Sequence, residues 1–109
     1  MWFFFAFSFL DAAHGYKLPN DTLPHFQPAL SGVNYLTLNN DTDATPFLNL
    51  YKSSVYYNDQ LLGKVYDKLA KRGLLNNTVV IFTSDHGDCL SDHGQSQKWT
   101  MYEQITRVP

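Results

Sequence analysis

The sequence has almost no cysteine, no strong excess of charge and no long apolar run, and each shortage excludes a class of protein. Its one cysteine, Cys89, cannot form an internal disulfide and cannot belong to a Cys-x-x-Cys motif. A formal net charge of -2 gives no reason to expect nucleic acid or an anionic membrane as a partner. The most apolar stretch, residues 2–10, is far shorter than the ~20 residues of a membrane span.

Of the 109 residues, 44% are hydrophobic and 16% are aromatic, which is typical of a folded chain with one modest core. Three Asn-x-Thr sequons begin at Asn20, Asn40 and Asn76, each in a polar, turn-rich context where a glycan could lie on the surface. They favour a glycoprotein on the secretory route, lysosomal or extracellular. Ordinary polar turns are the alternative interpretation.

The aromatic run at 2–10 has two interpretations. A central parallel strand covered by helices on both faces is apolar throughout, so we predict a buried strand here. A signal peptide is the alternative. However, no Lys or Arg precedes the run, and Asp11 falls where the uncharged cleavage region of a signal peptide should be.

A loop and a helix follow this segment. Residues 15–44 contain prolines and polar clusters without a sustained period, which predicts a long loop. We predict a helix over 46–72, with Thr45 as its N-cap, Pro46 at its first position and Gly73 as the left-handed residue that ends it. The apolar face of this helix is expected to comprise Tyr51, Val55, Leu62, Val65 and Leu69.

The β-branched run over 78–84 is too short for a helix and predicts a second strand. Strand, helix and strand in one sheet make a right-handed crossover between parallel strands, so the predicted fold class is α/β with a parallel-sheet βαβ portion. Parallel strands end at the same sheet edge. We therefore expect His14, Asp85 and His86 to emerge at that edge, where such sheets place their sites.

The motif Ser-Asp-His-Gly occurs twice, at 84–87 and at 91–94. The first copy follows the predicted strand, whereas the second lies in a polar loop. Asp85 and His86 can share one ion only if the chain turns, because consecutive strand residues face opposite sides, and Gly87 permits a turn. A carboxylate with an imidazole can bind calcium, manganese or zinc. The alternative is a strand-end turn in which Asp85 caps backbone amides.

The residues around the first copy resemble the later part of the catalytic domain of the sulfatase family, within the alkaline phosphatase superfamily. In that family a buried strand runs into Ser-Asp-His-Gly or a close variant. A Lys before a Thr-x-Tyr-Glu-like stretch and an Arg-x-Pro-like stretch follow. The matching residues here are Asp85, His86, Lys98, Tyr102, Glu103, Arg107 and Pro109. FFFAFSFLDAAHGY also looks like the family's strand that ends in a substrate-contacting His, here His14.

The resemblance implies a role for each matched residue. Asp85 and His86 would bind a divalent cation, with calcium favoured, while Lys98 and His14 would be the catalytic and substrate-binding residues that contact the sulfate ester of a small molecule or glycan. A Lys offers anionic oxygens a compact charge with three donors, and a His can donate to sulfate or to the leaving oxygen. Without the resemblance, a solvated Lys98 and an exposed His14 are the plain alternatives.

Two parts of the family's active site are missing from these residues. The family's nucleophile is a formylglycine made from a Cys-x-Pro-Ser-Arg motif, which the sequence lacks, and Cys89 lies in the unrelated stretch GDCLSD. The early strand with its pair of Asp residues is also absent. We therefore interpret 1–109 as a partial sulfatase domain, with 85–109 as its site loop, and expect no activity from it alone.

Two other hypotheses stay open at this point. Phosphodiesterases and phosphonate hydrolases of the same superfamily share the Asp-His-Gly motif. From a different class, the chain could be a non-catalytic sulfatase-like binding module, or a remnant that does not fold alone.

Overall fold

The computed structural model describes residues 3–34 and 43–109. Its elements are the 3-10 turn His14–Tyr16, helix α1 (Thr45–Lys71), the turn Leu75–Asn77, strand β1 (Cys89–Leu90), the turn Asp92–Gly94, strand β2 (Ser96–Gln97) and helix α2 (Glu103–Thr106). Strands β1 and β2 pair antiparallel, with Cys89 opposite Gln97 and Leu90 opposite Ser96. The helices within these two ranges are too short or too polar to span a bilayer. Trp2, the sequon at Asn40 and part of the predicted loop lie outside the described residues.

Helix α1 agrees with the predicted helix except for one residue at each end. The N-cap is Ala44 rather than the predicted Thr45, and Pro46 lies in the first turn. The prediction is wrong by one residue because a different side chain does the capping: the Thr45 amide donates to Oδ1 of Asp43 over 3.0 Å. That hydrogen bond lowers the pKa of the Asp43 carboxyl.

The C-terminal end of α1 depends on Gly73, as the sequence predicts. Gly73 has φ +65, its amide donates to the Ala70 carbonyl over 2.9 Å, and the Leu74 amide donates to the Leu69 carbonyl over 2.9 Å. These two bonds form a Schellman motif, which satisfies carbonyl groups left over at a helix end.

The core lies against the N-terminal half of α1. Phe47, Leu50 and Tyr16 are buried together, and the ring of Tyr16 meets those of Phe47 and Tyr51 edge-on at centroid distances of 5.4 Å. Partly buried residues packed against this group are Ala29, Leu30, Val33, Tyr51 and Leu90. The core is therefore built from the helix, the loop before it and the first strand of the hairpin.

The expected apolar face of α1 is only partly used. Val55 and Val65 are 42% and 55% exposed, whereas Ser53 and Ser54 are buried. A buried Ser53 is tolerated because its hydroxyl donates to the Asn49 carbonyl over 2.7 Å and accepts from the Phe26 amide at 3.1 Å. At this position the loop covers the helix, and hydrogen bonding allows a polar residue to be buried.

Within the described ranges, neither of the two predicted strands pairs with a neighbour in a β-sheet. Residues 3–10 and 78–84 lie outside β1 and β2, which form a two-stranded antiparallel sheet that the sequence does not predict. Their side chains stand in solvent: Phe3, Phe4, Phe5, Phe7, Phe9, Val79, Val80, Ile81 and Phe82. A strand exists only where a neighbour pairs with its backbone, and buried parallel strands also need helices on both faces. The parallel βαβ arrangement therefore stays a prediction.

Two glycines, one inside α1 and one just after its end, provide a matched pair of substitutions. Gly73→Ala places a Cβ at a left-handed φ and should lower the free energy of unfolding by about 1 kcal/mol. Gly63→Ala lies inside the helix with open space around it, and should raise the free energy of unfolding by up to about 1 kcal/mol. Urea unfolding followed by circular dichroism measures both. Equal effects of the same sign would contradict this account of the helix end.

Candidate functional site

A bend at Asp85 places the first Asp-His pair on one side of the chain. Oδ2 of Asp85 lies 3.8 Å from Nε2 of His86, and the His86 amide donates to Oδ1 of Asp85 over 3.1 Å. The Asp85 side chain is 83% exposed and that of His86 is 28% exposed. Two donors at this separation can share one cation at about 2.3 Å from each.

The ring of His86 is held so that one nitrogen, Nε2, carries no proton. Nδ1 lies 2.8 Å from the Gly87 carbonyl oxygen, which can only accept, so we assign the proton to Nδ1. The Ser84 hydroxyl donates to the His86 carbonyl over 2.7 Å and steadies the same turn. Metal-binding histidines typically have one nitrogen fixed in this way, which leaves the lone pair of Nε2 as the ligand atom.

The hairpin of β1 and β2 brings Lys98 into the same site. Lys98 follows β2 directly, and its Nζ lies 2.9 Å from Nε2 of His86. The hairpin is closed by a hydrogen bond from the Ser91 amide to the Gln95 carbonyl over 3.0 Å. Three residues proposed from the sequence, Asp85, His86 and Lys98, thus lie together.

The carboxyl of Asp85 is an anion at neutral pH. The hydrogen bond from its own backbone amide lowers its pKa most, burial opposes that shift, and His86 and Lys98 lower the pKa further. Because the folded-state pKa lies below the unfolded value, any stabilisation from this ionisation is present above the unfolded pKa. It is lost as the pH falls through the folded pKa.

His14 lies in the turn His14–Tyr16, where its Nδ1 is 3.6 Å from Oδ1 of Asp11. Among the hydrogen bonds and ion pairs of the described residues, none joins His14 to Asp85, His86 or Lys98. The turn is nevertheless tied to the site loop, because the Tyr16 hydroxyl donates to Oδ2 of Asp88 over 2.6 Å.

The contact between Tyr16 and Asp88 is one that the sequence analysis missed. The two residues are 72 positions apart, and neither belongs to a motif or an apolar period that would have indicated their contact. Burial, followed by the charge of Asp88, raises the pKa of the neighbouring Tyr51.

The second Asp-His-Gly copy forms the turn Asp92–Gly94, in the loop where the sequence places it. The ring of His93 stacks on that of Tyr102, with centroids 4.3 Å apart and an interplanar angle of 22°. This contact holds the hairpin loop against the chain leading into α2. In the described part of the chain, no group of three or more His, Cys, Asp or Glu residues could hold a metal ion.

Gly87 is required by a close approach rather than by the turn expected from the sequence. Its φ is not left-handed, since the glycines with positive φ are Gly15, Gly73 and Gly94. Instead, its amide donates to the Ile105 carbonyl over 2.8 Å, and a Cβ would overlap the carbonyl oxygen of Gln104. The bend itself lies at Asp85.

The substitution Gly87→Ala should therefore push α2 away from the site loop and lower the free energy of unfolding by about 1–3 kcal/mol. Gly32→Ala is the matched control, because a Cβ at Gly32 meets no atom within 4 Å. Urea unfolding of both variants tests this. If Gly87→Ala were as harmless as Gly32→Ala, the contact with α2 would not matter for stability.

Comparisons with known proteins identify relatives. The profile of the family described as Sulfatase matches residues 3–109. Arylsulfatase K of Xenopus laevis is 33% identical over an alignment of 105 residues. The match covers 85% of this chain and 20% of that protein. An arylsulfatase of Clostridium perfringens is 41% identical over 59 residues, 54% of this chain and 12% of that protein. Iduronate 2-sulfatase of Mus musculus is 42% identical over 59 residues, 54% of this chain and 11% of that protein.

The chain thus spans a fifth or less of the length of these relatives. No solved structure matches it. The family profile covers nearly every residue, so the resemblance noted in the sequence is confirmed. The protein belongs to the sulfatase family, which has the α/β fold of alkaline phosphatase.

Proposed function

We propose that this chain contributes cation-binding and sulfate-binding residues to a sulfatase site that hydrolyses a sulfate ester. The observation that carries the proposal is the meeting of Asp85, His86 and Lys98 at 3.8 Å and 2.9 Å around Nε2 of His86. An anionic oxygen ligand, an imidazole nitrogen and a cationic donor in one place suit a divalent cation beside an anionic substrate.

Asp85 and His86 are the residues proposed to hold the cation. Asp85 presents an ionised and exposed carboxylate, which is the ligand that calcium prefers. The His86 nitrogen suits manganese or zinc better than calcium, so the preference for calcium rests on Asp85 and on the family. When bound, such a cation would neutralise the negative charge of the sulfate oxygens.

Lys98 and His14 are the residues proposed to contact substrate. The exposed Lys98 ammonium offers three donors to sulfate oxygens that lose water on binding. His14 would donate a hydrogen bond to the sulfate or to the leaving oxygen. The support for His14 is the family match and the Tyr16–Asp88 hydrogen bond, which ties its turn to the site loop.

Several wider features belong to the same proposal. We propose 2–10 and 78–84 as parallel strands of the complete sulfatase sheet, where neighbours would cover their exposed apolar side chains.

A sulfated glycan is a suitable substrate class, since relatives include an N-acetylglucosamine-6-O-sulfatase of Bacteroides thetaiotaomicron and the iduronate 2-sulfatase of Mus musculus. Exposed Asn20 and Asn76 fit a glycoprotein of the secretory route, lysosomal or extracellular.

Cation binding tests the roles of Asp85 and His86. Calorimetric titration of the 109-residue chain with calcium, and separately with manganese, should show weak binding in the millimolar range, because the described part of the chain brings only Asp85 and His86 together as ligands. Asp85→Asn should weaken this binding by about tenfold or more, whereas Asp59→Asn, an exposed carboxylate on α1, should leave it unchanged. Equal affinities for the two variants would contradict the proposed ligand role.

The reaction itself needs more than these residues provide. With no Cys-x-Pro-Ser-Arg motif for a nucleophile, the 109-residue chain should release no phenol from an aryl sulfate above the rate in buffer. Turnover by the purified chain that is lost on Asp85→Ala would overturn this expectation and would require another nucleophile.

A further inference from the structure

The Nε2 lone pair of His86 has two candidate partners, the ammonium of Lys98 and a cation. The proton on Nδ1 of His86 is directed at the Gly87 carbonyl, so the ring has only the Nε2 lone pair to offer. In the structure that lone pair accepts a hydrogen bond from Nζ of Lys98 over 2.9 Å. One lone pair cannot accept from an ammonium and ligate a cation at the same time, so the two states of Nε2 exclude each other.

We propose that Lys98 blocks the cation site of the empty protein and is released when His86 ligates a cation. This inference rests on the proposed function, because it takes Asp85 and His86 as the cation ligands. In the cation-free chain Lys98 satisfies Nε2. In the cation-bound chain its ammonium is free for an anionic oxygen of the substrate.

The surroundings of Lys98 allow such a movement. Lys98 and the next residue, Trp99, are both exposed, and the one side-chain hydrogen bond of Lys98 among the described residues is that with His86. A lysine side chain has a flexible four-carbon stem, so Nζ can leave Nε2 without any shift of the backbone. His86 keeps its orientation meanwhile, because the Gly87 carbonyl and the Ser84 hydroxyl hold the ring and its backbone.

Two thermodynamic consequences follow from this exclusion. Lys98 must weaken cation binding, since its hydrogen bond to Nε2 has to be broken first. Sulfate that binds to Lys98 draws the ammonium away from Nε2, so sulfate must strengthen cation binding, and the cation must strengthen sulfate binding by the same factor. Cation and sulfate therefore bind with positive cooperativity through one side chain.

Calcium titrations of three chains measure the first consequence. Lys98→Met should bind calcium about fivefold more tightly than the parent chain, and sulfate should raise the calcium affinity of the parent chain but not that of Lys98→Met. Lys64→Met removes an exposed charge from α1 and should behave as the parent chain does. An unchanged affinity in Lys98→Met would overturn the inference.

Simple repulsion between Lys98 and a cation would also weaken binding, so a second measurement is needed. Mass spectrometry can follow the rate at which acetic anhydride acetylates Lys98. This rate should rise when calcium or manganese is added, because Nζ loses its partner. Lys64 serves as the internal control. A rate that falls or stays constant would overturn the inference. If Asp85→Asn weakens calcium binding while the Lys98 results are negative, the proposed function stands and this inference alone fails.

Discussion

The hydrogen bond between Tyr16 and Asp88 joins the three parts of this molecule. Tyr16 is 1% exposed, its ring packs edge-on against Phe47 and Tyr51 of α1, and its hydroxyl reaches Oδ2 of Asp88 over 2.6 Å. A hydrogen bond to a charged acceptor contributes about 1.5–3 kcal/mol, and less where water reaches the acceptor, as it does here. It fixes the turn of His14, the long helix and the loop of Asp85 relative to one another. Together with the packing of Leu90 against the same core, it sets the separation between the residues proposed for substrate and for cation.

The rest of the chain is held far less firmly. Apolar side chains are exposed at residues 79–82, at the phenylalanines of 3–9 and at Val55 and Val65 of α1. Side chains of this kind are the ones that sheets and helices bury against each other. Exposed apolar patches of this extent mark surfaces that another part of a protein covers. The segment matched to this chain makes up a fifth or less of each of the curated relatives. The exposure of residues 3–9 and 79–82 therefore fits the proposal that these segments are strands of a larger sulfatase sheet.

Features determined by local sequence could be predicted, and features made by distant contacts could not. Gly73 predicts the end of α1 because a left-handed residue at that position has a local cause. The sequence points to Asp85 and His86 through the Ser-Asp-His-Gly motif and to Lys98 through the resemblance to the sulfatase family, and the structure brings the three side chains together. The Tyr16–Asp88 bond joins residues 72 positions apart, and the approach of Gly87 to α2 joins two separate parts of the chain. The antiparallel hairpin is local, but strands of two residues are too short to show an alternating pattern in the sequence. Gly87 shows the limit well, since its sequence context suggests a turn while its actual constraint comes from Gln104.

The central claim is that Nε2 of His86 is the atom offered to a cation, and nitrogen NMR of the histidine rings tests it most directly. With nitrogen-15 in the four histidines, the His86 ring should show its proton on Nδ1 in the cation-free chain. Addition of a diamagnetic cation such as calcium or zinc should then shift Nε2 of His86 while the signals of His25 and His93 stay in place. A proton found on Nε2, or an Nε2 signal that does not respond, would contradict the account.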